Sequence, residues 1–278
     1  MEPRIITTLF KKEINDSLNN RWFVLYAAAF TGLALLLSWL SLSGGGTGYS
    51  GFAGFGRTAA SLVNLVLLVV PLMALTIGAG SLATERERGT LSYLLSQPIN
   101  RSEVILGKYL GLAAALLGTL ALGFGLSGMI IAGQGGQTDT KSFALLVGFA
   151  IVLALGMLSL GFLISALARK AAVATGVALF VWLVLVFVGD LGLMGTTLAF
   201  KLPIDTIFNL ALINPLQVFK MSALISINST LDVLGPAGIY AMQTYRDNLT
   251  WLFLGSLFAW VVLPLFIAYM IFDRRGDV

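Results

Sequence analysis

The chain has 278 residues, of which 58% are hydrophobic and only 11% charged, with a mean hydropathy of +0.92. That balance, with several apolar runs longer than eighteen residues, excludes a soluble fold and leaves room for about six bilayer spans at roughly twenty residues each. Cysteine and histidine are absent, which excludes disulfides, thiolate or imidazole metal sites and His-based triads, and the net charge of +4 is dispersed rather than clustered as a nucleic-acid footprint would be.

Residues 1–20 carry Ile6, Leu9, Phe10, Ile14 and Leu18 on one helical face and Lys11, Lys12, Asn15 and Asp16 on the other, the pattern of an interfacial helix. Trp22 to Leu42 is too long for the core of a cleavable signal and reads as the first span. Ser43 to Gly56 is a Gly- and Ser-rich outer loop with Tyr49, Phe52 and Phe55 interleaved. The second span covers about Ser61 to Leu82, disturbed by Asn64 and by Pro71, which is expected to kink it.

Next comes a charged island, Glu85 to Lys108, with the sequence ERERGTLSYLLSQPINRSEVILGK. Charges are costly in hydrocarbon, so the segment 83–108 belongs in water or against a partner. Leu91, Leu94 and Leu95 recur at helical spacing behind Glu85, Arg86, Glu87 and Arg88, which predicts a short amphipathic helix ended by Pro98. Asn100 and Glu103 have the spacing of an N-cap and its capping-box partner, opening a second helix that continues into the next apolar run.

The order E-R-E-R-G-T-L, L-L-S-Q-P, R-S-E-V-I-L-G-K resembles the cytoplasmic loop of ABC-2 type transporter permeases, the membrane halves of many ATP-binding-cassette exporters. The resemblance implies that this loop is a coupling helix docked into a groove of an ATPase subunit. It points to Glu87, Arg88, Gly89, Thr90, Leu91, Pro98, Arg101 and Glu103 as coupling positions, with Leu94 and Leu95 on the same short helix; Ser92 departs from the acidic residue common at that place. The K-K-E-I-N-D-S-L-N-N-R-W-F stretch is likewise similar to the amphipathic first helix of those permeases, which lies along the inner leaflet beside the ATPase. No phosphate-loop sequence occurs, so ATP and Mg would be bound by a separate chain, and this chain would carry neither a catalytic site nor a cofactor.

A third span covers roughly Tyr109 to Ala132, followed by a short outer loop, Gly133 to Ser142. A fourth runs from Phe143 to Leu167, a basic turn at Arg169 and Lys170 leads to a fifth from Ala171 to about Val188, and the last covers Trp251 to Phe272. Trp22 and Trp251 stand at span ends, as interfacial anchors do. With six spans, twelve of the seventeen Lys and Arg fall on the side of the charged island, so both termini are expected in the cytoplasm, and the resemblance implies a bacterial inner-membrane protein. Small-residue spacings at Gly107 and Gly111, and at Gly123, Gly125 and Gly128, allow close helix approach.

Residues 189–250 are too apolar for a plain outer loop. Two surface helices are predicted, one opened by Pro203 with Ile204, Ile207, Phe208 and Ala211 on a face, the next with Asn214 as cap and Pro215 as first residue. Asp232 to Gly238 reads as a turn. Such an apolar outer platform needs cover from the chain's own spans, the bilayer, a second copy or an outer partner.

The R-W-F order, N-P-L-Q-V-F-K-M-S-A-L-I-S and L-D-V-L-G-P-A-G look like the permeases of nitrous-oxide reductase maturation transporters in denitrifying bacteria. That resemblance implies a homodimer with two ATPase subunits and a periplasmic β-helical partner on the outer platform, at Ile204, Ile207, Phe208, Phe219, Met221, Asp232, Gly235 and Pro236. The expected fold is therefore an all-α polytopic membrane protein with one permease domain over 1–278. It has six transmembrane helices, an N-terminal amphipathic helix, a coupling helix between spans two and three, and a helical outer segment between spans five and six. Copper is a poor candidate substrate, since Cys and His are absent and the eight Met are scattered; a sulfur species, or force without a solute, fits better. Export of another substrate by the same machinery stays open, as does an ion-coupled secondary transporter, although no charged side chain falls within the six spans.

Overall fold

The computed structural model describes residues 3–43, 52–133, 140–189, 203–228, 236–245 and 248–274. The described residues form helices and short connections, with no strand among them: α1 (Pro3–Asn19), α2 (Arg21–Ser43), α3 (Phe52–Glu87), α4 (Thr90–Leu95), α5 (Arg101–Gly133), α6 (Thr140–Leu167), α7 (Ala171–Phe187), α8 (Ile204–Ile213), α9 (Pro215–Asn228), α10 (Pro236–Tyr245) and α11 (Leu249–Arg274). Five of them, α2, α3, α5, α6 and α11, are long and apolar enough to cross a bilayer. The 17-residue α7 is shorter, about 26 Å at roughly 1.5 Å per residue.

Hydrogen bonds fix which helix ends lie together. The Arg86 guanidinium, in the last turn of α3, donates to the Ser165 and Ala168 carbonyls at the end of α6, and Ala171 N–H at the start of α7 donates to the Glu87 carboxylate. Arg101, the first residue of α5, donates to the Phe272 and Asp273 carbonyls at the end of α11. So α5 and α7 begin at one end of the bundle, where α3, α6 and α11 finish. From that end α7 leads to the α8–α9 elbow, which Asn214 ties to Leu185 near the end of α7, and Ser256 of α11 binds the same elbow, so α11 returns from there to the end where α7 began.

The N-terminal helix packs lengthwise on α5 through Leu9, Glu13 and Ser17, and Leu18, expected on the apolar face, is 61% exposed. Glycine sets the approach: a Cβ at Gly107 would lie 2.8 Å from Leu9 Cβ, and one at Gly111 would lie 2.6 Å from Glu13 Cβ. The Gly107 and Gly111 spacing is thus a contact ladder for α1, and Gly123 receives Phe30 of α2 in the same manner. The tightest crossing, between α3 and α6, is at Gly78 and Gly161, where an added Cβ would lie 2.7 Å from a carbonyl oxygen of the other helix. Pro71 sits inside α3 without ending it.

At the other end α8 and α9 meet at 107°. Asn214 caps the second helix as expected, its side-chain oxygen accepting from Leu216 N–H at 3.0 Å and its carbonyl from Val218 N–H at 3.1 Å. Its Nδ2 also donates to the Leu185 carbonyl of α7, while Ser256 Oγ and Trp260 Nε1 of α11 donate to the carbonyls of Leu212 and Ile213. With these carbonyls and N–H groups paired, an elbow can sit inside an apolar bundle. The prediction of two surface helices is therefore corrected for α9: Leu216, Val218, Phe219, Met221, Ala223 and Ile227 are buried against the spans. The stretch read as a turn at Asp232 to Gly238 is helical from Pro236 onward.

Candidate functional site: the α4 end of the bundle

The charged island folds differently from its leucine spacing. Helix α3 runs on through Glu87, so Glu85, Arg86 and Glu87 are its last turn rather than part of the short helix. The break is Gly89, whose φ of 74° lies in the left-handed region that side-chain-bearing residues adopt at a cost of about 1–2 kcal/mol. Helix α4 then has six residues and ends at Leu95, three residues before Pro98. Leu91 is buried at 1% exposure and Leu94 and Leu95 are half-buried, which pins α4 to the bundle. Arg88, Thr90, Ser92, Tyr93, Ser96, Gln97 and Pro98 stay exposed, Tyr93 at 72%.

Most ionisable residues flanking α4, Arg88 excepted, bond to other helices. Besides the Arg86, Glu87 and Arg101 clamps, Glu103 accepts from the backbone N–H of Asn100 at 3.1 Å, the capping-box bond its spacing predicts, and is itself buried. Lys108, 1% exposed, donates to Glu13 of α1 at 2.5 Å and to Glu85 of α3 at 3.0 Å. Lys12 also reaches Glu85, at 2.8 Å. Burial works against the Lys12 ammonium, but its hydrogen bond to Glu85 and the charges of Glu85, Glu13 and Asp16 outweigh it and raise its pKa above the ordinary lysine value. Lys12, Glu13, Glu85 and Lys108 line a cleft of about 630 Å³ between α1, α3 and α5 that extends along α3 as far as Thr76.

Of the coupling positions named from sequence, Arg88, Gly89, Thr90 and Pro98 lie on the exposed surface around α4, Glu87 is exposed while capping α7, Leu91 is buried, and Glu103 is buried while capping α5. Sequence reading missed Tyr93, the most exposed aromatic here, and Glu13, whose i, i+4 spacing with Leu9 and Ser17 matches that of Gly107 and Gly111. At the opposite end, Ile207, Phe208, Phe219 and Met221 are buried by the chain's own helices, Phe208 against Tyr240 and Tyr245 of α10. The expectation that these four present an outward platform is corrected accordingly. Ile204, with Leu210 and Ile213, remains exposed, and Asp232 and Gly235 lie outside the described residues.

Comparison with known proteins gives one consistent answer. Residues 7–276 match the family described as ABC-2 family transporter protein. Over 276 residues the chain is 29% identical to a protein named probable ABC transporter permease protein NosY from Stutzerimonas stutzeri, covering 97% of this chain and 98% of that one. A protein of the same name from Pseudomonas aeruginosa is 27% identical over 281 residues, covering 98% of each.

Proposed function

The chain belongs to the ABC-2 family of transporter proteins, and from that premise we propose that it drives export or force transmission across a bacterial inner membrane with ATP hydrolysed by a separate subunit docked on α4. The observation that carries this reading is the division of labour at α4. Its exposed face, with Arg88, Ser92 and Tyr93, is available to a partner, while Arg86, Glu87, Arg101 and Lys108 beside it are each fastened to another helix. A push on α4 would reach α1, α3, α5, α6, α7 and α11 without passing through a flexible loop. ATP and Mg belong to the partner, and two copies of this chain with two ATPase subunits form the working unit, both termini in the cytoplasm.

The finer role follows from similarity to nitrous-oxide reductase maturation permeases: movement of a sulfur species, or of force alone, for copper-cluster assembly outside the membrane. A periplasmic β-helical partner would then meet the exposed apolar residues Ile204, Leu210 and Ile213, since Ile207 and Phe208 are occupied inside. The test is to tag the C-terminus, extract the protein gently from its own membranes and identify what accompanies it. An ATP-binding-cassette ATPase is expected, with a periplasmic β-helix protein if the maturation role holds. Recovery of this chain alone, with transport driven by an ion gradient, would overturn the reading.

A further inference from the structure

The cleft between α1, α3 and α5 lies at the level of lipid headgroups. Trp22, 70% exposed at the start of α2, falls between two of its lining residues, Asn20 and Phe23, and exposed tryptophans at span ends mark the membrane–water boundary. Between Thr76 and Glu85 the cleft follows α3 for about 14 Å at roughly 1.5 Å per residue. Its volume of about 630 Å³ falls in the range of roughly 300–1,000 Å³ usual for small-molecule sites. All of its lining residues belong to the unbroken described stretches 3–43 and 52–133.

Its lining carries both signs in balance, with Lys12, Arg88 and Lys108 against Glu13, Asp16 and Glu85. Four of these six answer one another: Lys108 bonds to Glu13 and Glu85, and Lys12 bonds to Glu85. That leaves one carboxylate and one guanidinium. Asp16 and Arg88 are exposed, and neither side chain makes an ion pair or hydrogen bond among the described residues. The wall also offers unused acceptors. Ser17, Thr76 and Ser81 each give their hydroxyl proton to a carbonyl of their own helix, so what remains to them is oxygen lone pairs, and Glu85 Oε2 is buried with no hydrogen-bond partner among the described residues. Phe23, Ile77 and Leu112 supply an apolar part. A lone anion would meet Asp16 here and a lone cation Arg88. An amphiphile that carries an N–H-bearing ammonium and a phosphate on one headgroup matches the whole set.

We propose that the cleft binds the headgroup of phosphatidylethanolamine from the leaflet on the α4 side, its ammonium donating to Asp16 and the hydroxyl oxygens and its phosphate meeting Arg88, so that the lipid bridges α1 to the end of α3. The test needs no ATPase. The full-length protein in detergent would be offered phosphatidylethanolamine, phosphatidylcholine and phosphatidylglycerol with matched acyl chains in equal amounts, and native mass spectrometry would score what is retained. Phosphatidylcholine keeps the phosphate and the positive charge but has no N–H, and phosphatidylglycerol keeps the phosphate but has no cation. Phosphatidylethanolamine is expected to be favoured over each by about tenfold, as hydrogen bonds to charged groups would give. Asp16→Asn and Arg88→Gln, both at exposed positions, should each remove most of that preference. A Cβ at Gly80 meets only the Thr84 hydroxyl, at 3.7 Å, so Gly80→Leu extends into the cleft without meeting backbone and should exclude the lipid by filling its place. Equal retention of the three lipids by the unmodified protein, or an undiminished preference for phosphatidylethanolamine in both Asp16→Asn and Gly80→Leu, would overturn the proposal.

Discussion

Lys108 shows what a single residue does here. It closes the charged island in the sequence, yet in the fold it is one of the most buried side chains, held between Glu13 and Glu85. Removing one member of a buried ion pair strands the other, which typically costs about 3–5 kcal/mol, whereas replacing both by apolar residues of similar size is often close to neutral. Lys108→Ala should therefore lower the thermal unfolding temperature in detergent markedly, and Lys108→Met combined with Glu13→Leu should recover much of the loss. Equal melting of the single variant and the unmodified protein would show that the cluster carries no stability. Leu91 works by the more ordinary route of apolar burial. The positions of these residues were legible in the sequence, but their partners were not, because Glu13 and Lys108 are 95 residues apart and only the packing of α1 on α5 brings them together.

Among the elements, α4 and α9 repay comparison. The sequence correctly announced a short helix, a Pro stop and a capped second helix, since those signals are local. It did not show that α3 continues through Glu87, because the leucine spacing does not reveal that Gly89 takes a left-handed turn between Glu87 and α4. For α9 the cap at Asn214 and Pro215 was readable, but burial was not: it depends on Trp260 and Ser256 of α11 satisfying the elbow carbonyls. Arg86→Ala, which releases the end of α3 from α6, and Arg101→Ala, which releases the start of α5 from α11, should leave the ATPase bound in pull-downs while lowering permease-stimulated ATP hydrolysis several-fold; undiminished hydrolysis would separate these clamps from transmission. Phe208→Glu buries a charge beside two tyrosines and should destabilise the fold, while Ile204→Glu, 43% exposed, should leave melting within about 0.5 kcal/mol of the original. Similar melting of the two would contradict the packing of α8 on α10.

For the whole molecule, composition and the six apolar runs were enough to read an all-helical, multi-pass protein, and the family match agrees. The order of crossings is carried by helix-end contacts that sequence could not give: Arg86 to α6, Glu87 to α7 and Arg101 to α11 fix the alternation that hydropathy alone leaves ambiguous between α7 and the α8–α9 elbow. Under the proposed function, α4 is the point where a partner's motion would enter, and the charged clamps would distribute it. The most direct test uses the natural absence of cysteine. A single cysteine at position 93, introduced as Tyr93→Cys, would be combined with a short bifunctional crosslinker in membranes containing the whole complex. One crosslink to an ATP-binding-cassette ATPase is expected, its yield changing between nucleotide-free and ATP-bound conditions, and none from Ile204→Cys at the opposite end. A crosslink to the ATPase from position 204 but not from 93 would contradict both the docking site and the orientation of the bundle.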